Sequence, residues 1–270
     1  MSNPNPKISI ITVVRNGEQY IQHAIQSILD QTYPNIEYVI IDGKSSDGTI
    51  KIIEKYASRI ATWISESDNG IYDAMNKGVR LSSGDWVLFI NSDDYLATPT
   101  VIEEAVTYLT DCNDLVAYGK VTYLYPHDSE IDVGEQWSKI KNRFRSVGMS
   151  MGHQAIFHSR KLFAQREFDT SFAICGDYDL LLSNLKSNDA TYIPLVISRM
   201  RMEGVSSTAS KFKLLSETRK AQRKNNVYPN LPSISWIKSS VRIVVVDFII
   251  RKIGVQGKNR LKNLLKFNIK

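Results

Sequence analysis

The first hundred residues alternate β-branched runs with helical periods, and this alternation constrains the fold more than any other feature of the chain. Lys7–Val14 (KISIITVV) is rich in β-branched residues and reads as a buried strand. Glu18–Gln31 sets Tyr20, Ile21, Ala24, Ile25, Ile28 and Leu29 at helical spacing. Ile36–Ile41 reads as a second strand, Thr49–Ala57 as a second helix, Ala61–Glu66 as a third strand, Ile71–Leu81 as a third helix and Asp85–Ile90 as a fourth strand. A βαβαβαβ order predicts an α/β fold with a mostly parallel sheet flanked by helices. In such sheets ligands sit beyond the carboxyl ends of the strands.

The loops at that edge are where carboxylates collect. Val14-Arg15-Asn16-Gly17 follows the first strand and Asp42-Gly43-Lys44-Ser45-Ser46-Asp47-Gly48 the second. Glu66-Ser67-Asp68-Asn69-Gly70 follows the third and Asn91-Ser92-Asp93-Asp94 the fourth. Taken singly, Asp42-Gly43 and Asp47-Gly48 are ordinary turn dipeptides, and Ser92-Asp93-Asp94 reads equally as a helix-capping loop. Taken together, they gather negative charge at one sheet edge. Neighbouring carboxylates repel, which favours a bound cation or a hydroxyl donor between them. Mn²⁺ or Mg²⁺ suits such a place, held by one or two carboxylates and by substrate phosphates.

Beyond the fourth strand the pattern loosens. Leu115–Tyr125 reads as strand, 126–152 as loop with short elements, Ala155–His158 as strand, Asp177–Leu185 as helix and Thr191–Arg199 as strand. From about residue 208 the chain turns helical and basic. Its 43% apolar residues can build a substantial core. Cys112 and Cys175 form neither a metal pattern nor a disulfide framework, so a reducing cytosol is the expected compartment. The opening MSNPNPKISI lacks a signal-peptide pattern. The net charge of +6 is uneven: residues 251–270 carry +7 and the remainder −1. The basic balance therefore belongs to the tail, and no nucleic-acid groove is expected.

Two runs carry a family resemblance. ISIITVVRNGEQYIQHAIQSILDQTYPNIEYVIIDGKSSDGT and WISESDNGIYDAMNKGVRLSSGDWVLFINSDD resemble the opening and continuation of a family 2 glycosyltransferase of the glycosyltransferase-A fold, of the bacterial surface-polysaccharide type. The likeness is specific over residues 7–95 and looser to about 205. It implies a Rossmann-like nucleotide-binding half over about 1–98 and a mixed acceptor half over 99–207. A helical, basic extension over 208–270 would follow this 1–207 catalytic domain. It implies that Thr12, Val14, Arg15 and Asp42 hold the donor's base and ribose, with Asn76 and Arg80 of an Asn-x-Gly motif near the base. It implies metal and ribose contacts from Ser92, Asp93 and Asp94. The family's Asp-x-Asp motif has Asn91 at its first position here, which leaves Asp93 and Asp94 both open as metal ligand.

The same resemblance makes Asp177, in Cys175-Gly176-Asp177-Tyr178-Asp179, the catalytic base. The usual preceding Glu is replaced by Gly176. On its residues alone, the alternative reading of Asp177 is a helix cap, and Asp179 reads as a solvated or dipole-stabilising acid in the first turn. His153, in Met151-Gly152-His153-Gln154, is placed to meet the diphosphate, the metal or the acceptor, against a structural reading of a lone histidine. No Gln-x-x-Arg-Trp motif of polymerising relatives is present, which favours transfer of a single sugar.

The implied partners are a nucleotide-diphosphate sugar, preferably UDP-linked, and a glycan or lipid-linked acceptor. Leu261, Leu264, Leu265 and Ile269 repeat at helical spacing among lysines. This resembles a helix lying on an anionic membrane surface at the cytoplasmic face of the inner membrane. A helix packed on the body, or on a second subunit of a homodimer, is the alternative. Val241–Ile250 is too short to span a bilayer. Two other functions compete. A sugar-nucleotide nucleotidyltransferase would show a Gly-rich triphosphate loop where this chain reads VVRNGEQY. A non-enzymatic nucleotide-sugar-binding protein of the same fold would account for Asn91 and Gly176.

Overall fold

A computed structural model describes residues 5–125, 129–201 and 210–246. Its centre is a nine-stranded sheet in the order β3-β2-β1-β4-β8-β6-β9-β5, with β7 paired to β6. The strands β1 (Ile8–Val14), β2 (Ile36–Asp42), β3 (Thr62–Ser65) and β4 (Trp86–Phe89) are mutually parallel. The helices between them are α1 (Ile21–Leu29), α2 (Thr49–Tyr56) and α3 (Ile71–Leu81). This is the expected βαβαβαβ half, with bounds shifted by a few residues. All seven residues of β1 are buried, as its β-branched run requires.

The second half joins the same sheet in mixed directions. After β5 (Tyr95–Leu96) and α4 (Val101–Leu109), the long strand β6 (Val116–Tyr125) lies antiparallel to β7 (Ser129–Val133) and β8 (Ile156–Ser159). It lies parallel to β9 (Thr191–Arg201), which pairs antiparallel with β5. Six of the nine strands thus point one way, and the sheet is mostly parallel with a mixed second half. Residues 129–152, within the stretch expected to be loop with short elements, are more ordered than that expectation. They contain β7 and a ten-residue helix, α5 (Trp137–Ser146), which buries Trp137, Ile140 and Phe144. Its periodicity is hidden by lysines and arginines on the outer face.

Two apolar layers sandwich the sheet. One is built on Ile11, Val13, Val39 and Ile41 with α3, α5, α6 (Arg160–Gln165) and α7 (Gly176–Leu185). The other is built on Ile8, Ile10 and Ile40 with α1 and α4. The period-two alternation of β1 sends its neighbours to opposite layers. Gly78 lets α3 lie close on the sheet: a Cβ there would meet Ile11 Cγ2 at 2.5 Å.

The basic extension begins as part of this body. The helix Lys211–Lys224 packs on α7 through Asp179, which is fully buried and so is not the solvated acid its position in the first turn suggested. Its carboxylate pairs with Arg166, with Lys224 Nζ at 3.1 Å and with Asn225 Nδ2 at 2.9 Å. Residues 247–270, which include the expected membrane-surface tail 251–270, lie outside the described residues. Removing one member of a buried charged cluster leaves the others desolvated without a partner. Asp179→Ala is therefore expected to cost about 3 kcal/mol, measured by urea unfolding; a loss under about 0.5 kcal/mol would show the cluster to be dispensable.

Candidate active site

The loops after β1 and β2 are laced together. The Asn16 and Gly17 amides donate to Ser45 Oγ and Thr49 Oγ1, both at 2.8 Å. In return, the Ser46 amide donates to Asn16 Oδ1 at 2.8 Å and the Gly48 amide to Glu18 at 2.6 Å. Asn16 and Lys44 both adopt left-handed backbone, with φ of 54° and 58°. The result is a built ledge at the carboxyl edge of the sheet.

Several residues expected to hold the donor are engaged in building this ledge. Thr12 is fully buried, and its hydroxyl accepts a hydrogen bond from Tyr38 at 3.1 Å. The Val14 carbonyl accepts the Gly43 amide. Asp42 has no exposed surface, and its carboxylate accepts the Ser45 amide and the hydroxyls of Ser45 and Ser65. Asn76 is buried, and its amide makes paired bonds to the Phe168 backbone at 2.9 and 3.0 Å. Arg80 forms a two-pronged pair with Glu167. It lies three residues before Ser83, which bonds Glu37 near the amino end of β2, whereas Asp42 ends that strand. In this structure Asn76 and Arg80 thus tie α3 to residues 167–168. Arg15 stays exposed beside Gly43, against which the Asp68 carboxylate also sits; Asp68 belongs to the acidic loop after the third strand but was given no role from sequence. Ser92 lies beside Gly17, so the fourth loop reaches the ledge.

Asp93 and Asp94 differ sharply in setting. Asp93 is partly exposed, whereas Asp94 is only 2% exposed. The Arg201 amide donates to Asp94 Oδ1 at 3.2 Å, while Asp94 Oδ2 is buried without a hydrogen-bond partner. Burial, and then the charge of Asp93, hold the Asp94 carboxyl well above the usual carboxylate range. A buried acid with an unmatched oxygen beside a second acid fits a divalent cation. Among the described residues no three His, Cys, Asp or Glu side chains cluster as a metal cage. The fit is thus to a hard ion that takes its remaining ligands from phosphate and water.

Asp177 enters from the other half, at the start of α7. Its Oδ1 accepts the Tyr178 amide at 2.8 Å. The Tyr72 hydroxyl, from α3, shares its proton between the Ile174 carbonyl at 2.6 Å and Asp177 Oδ1 at 3.2 Å. Gly176 stands where the family's Glu is usual, and the structure explains it. A Cβ at 176 would meet the Tyr72 ring at 2.7–2.8 Å, so the ring occupies that space. The loop before α7 is held from outside by Glu217, whose Oε2 accepts the Ile174 amide at 2.8 Å and the Cys175 amide at 3.0 Å. Glu217 caps this turn and Asp177 is left to face a cavity. Tyr72 lies within the second of the two runs that carry the family resemblance; Glu217 lies in a stretch with no motif to flag it.

That cavity, of 420 Å³, is lined by Asn91 of the fourth loop, by Tyr72 and Asp177, and by His153 and Gln154. Burial raises the Asp177 carboxyl to about 6, against its hydrogen bonds from Tyr178 and Tyr72. His153 stacks on Phe89 at 5.3 Å and meets His158 edge-on at 5.4 Å. Burial lowers it to about 4, so the ring is neutral near pH 7 and lends no positive charge to a diphosphate. Its Nε2 is buried without a partner.

The family model described as glycosyl transferase family 2 matches residues 9–169, more than half of the chain. The chain belongs to glycosyl transferase family 2. A relative from Mycobacterium tuberculosis bearing the name "uncharacterized glycosyltransferase" is 28% identical over 233 residues, covering 83% of this chain and 86% of its own. A PGL/p-HBAD biosynthesis glycosyltransferase of Mycobacterium bovis is 29% identical over 180 residues, covering 64% of this chain and 68% of its own. Among solved structures, S. aureus TarS 1–349 in complex with UDP-GlcNAc aligns with a TM-score of 0.66 at 18% identity, covering 86% of this chain and 69% of that one. The mannosyltransferase PcManGT of Pyrobaculum calidifontis, in complex with GDP-Man and Mn²⁺, gives 0.60 at 17% identity, covering 87% and 69%. These two likenesses show the glycosyltransferase-A fold.

In this glycosyltransferase, a base must be deprotonated to act, so activity that depends on Asp177 should fall as pH drops through about 6. The Tyr72 hydroxyl favours the charged carboxylate, so Tyr72→Phe should move this acid limb to higher pH while the ring still fills the space beside Gly176. A pH–rate profile of both proteins checks it. An unmoved limb in the variant would separate Tyr72 from Asp177 function.

Proposed function

We propose that this protein is an inverting, metal-dependent glycosyltransferase that moves one sugar from a nucleotide-diphosphate donor to a hydroxyl of a lipid-linked oligosaccharide or other glycan, in bacterial surface-polysaccharide synthesis. The observation that carries the reading is a single cavity lined by both Asn91, at the acidic fourth loop, and Asp177, at the start of α7. UDP is the preferred nucleotide. The donor class is supported by the sugar nucleotides named with the structural neighbours, UDP-GlcNAc and GDP-Man.

In this reading Arg15, Asp68 and Ser92 line the donor ledge, and Asp42, Thr12 and Val14 act beneath it by fixing the shape of its loops. Asp93 and Asp94 would hold Mn²⁺ or Mg²⁺, which neutralises negative charge developing on the leaving diphosphate. The acceptor hydroxyl approaches through the cavity. As its oxygen attacks the anomeric carbon, the bond to the diphosphate breaks on the opposite face and Asp177 takes the hydroxyl proton. The carboxylate is suited to this: raised to about 6, it is mostly ionised at neutral pH yet more basic than an exposed aspartate. His153, which is part of the cavity lining, is the proposed acceptor contact.

Gly176 and Asn91, the two residues that favoured a non-enzymatic binder, both fit an enzyme. Gly176 makes room for Tyr72, and Asn91 still faces the cavity. Two substitutions test the assignment in a screen of UDP-, TDP- and GDP-sugars with Mn²⁺ or Mg²⁺. Asp177→Asn should keep donor affinity and lose transfer by about 10²–10⁴-fold. Asp93→Ala should abolish metal-dependent nucleotide binding in calorimetry. Wild-type transfer by the first variant removes the base, and unchanged binding by the second removes the metal ligand.

A further inference from the structure

Charge is divided along this chain more strongly than its total of +6 reveals. Residues 208–270 hold fifteen Lys and Arg against two acids, a net +13, which leaves −7 on residues 1–207. Residues 234–246 of the basic part form a helix with two unlike faces. Trp236, Ser240 and Ile243 point inward and line the cavity that contains Asp177. The outward face is apolar: Leu231, just before the helix, is 78% exposed, Ile234 72%, Val241 57% and Val245 48%. Lys238 and Arg242 lie exposed along one flank of that row.

We infer that the outward face of helix 234–246 is a membrane-docking surface that seats the enzyme on an anionic lipid bilayer, with the inner face of the same helix roofing the cavity. A row of aliphatic side chains gains by entering the boundary between headgroups and acyl chains, and flanking cations gain from anionic headgroups. Two copies joined face to face through this row would instead bring two +13 segments together. No described helix is long and apolar enough to cross a membrane, so the surface lies on the bilayer and does not span it. Exposure and charge alone carry the docking surface. Delivery of a membrane-borne acceptor to the Asp177 cavity, its use, rests on the proposed transfer reaction.

The test is co-sedimentation of the full-length protein with vesicles of phosphatidylcholine alone or mixed with phosphatidylglycerol, at low and high salt. The wild type should sediment with the anionic vesicles, less at high salt because exposed charges are screened. Ile234→Glu combined with Val241→Glu should weaken binding by about tenfold or more, while sugar-nucleotide hydrolysis and the circular dichroism spectrum stay as in wild type. Lys238→Gln with Arg242→Gln should lower binding and its salt dependence together. Three results would overturn the inference: no sedimentation with anionic vesicles at low salt, wild-type binding by the double Glu variant, or a dimer in light scattering that this variant splits. Absent sugar-nucleotide hydrolysis with persistent sedimentation would instead count against the transfer reaction and leave the docking surface standing.

Discussion

The ring of Tyr72 lies where any side chain at residue 176 would have to go, and the arrangement of the site depends on that contact. Tyr72 belongs to the parallel first half, on α3, and Gly176 to the mixed second half, on α7. Their packing brings the two halves close enough for one hydroxyl to reach both the Ile174 carbonyl and the Asp177 carboxylate. Glu217 closes the other side by accepting amides of the loop before α7. Asp177 is thereby held by three elements distant in sequence, and its orientation toward the cavity comes from all of them.

The carboxylates at the sheet edge, alike in sequence, fall into two physical groups. Asp42 is matched by Ser45 and Ser65 and shapes a loop. Asp94 is buried with one oxygen unmatched, and Asp93 stands partly exposed beside it. A matched buried acid is a structural part, since its charge is already answered by donors. An unmatched one asks for a ligand.

Local patterns were readable where local physics decides. The βαβαβαβ half followed from β-branched runs and helical periods, and α3 has the bounds its periodicity predicts, Ile71–Leu81. What escaped the sequence depends on partners far along the chain. Asn76 and Arg80 resemble donor contacts in sequence, but Phe168 and Glu167, about ninety residues away, engage them in the fold. The helix α5 was hidden because only Trp137, Ile140 and Phe144 mark its inner face among many cations. Gly176 looked like a loss of function because the ring that replaces the missing side chain comes from another element.

If this joint holds a base against a donor on the opposite ledge, the chemistry is a single displacement. Asp177 then removes the acceptor proton while the diphosphate departs from the other face of the sugar, and no covalent sugar–enzyme species forms. The most direct measurement is proton NMR of the anomeric configuration of the first product formed from a donor of known configuration. The account predicts inversion. A product that retains the donor's configuration would contradict it.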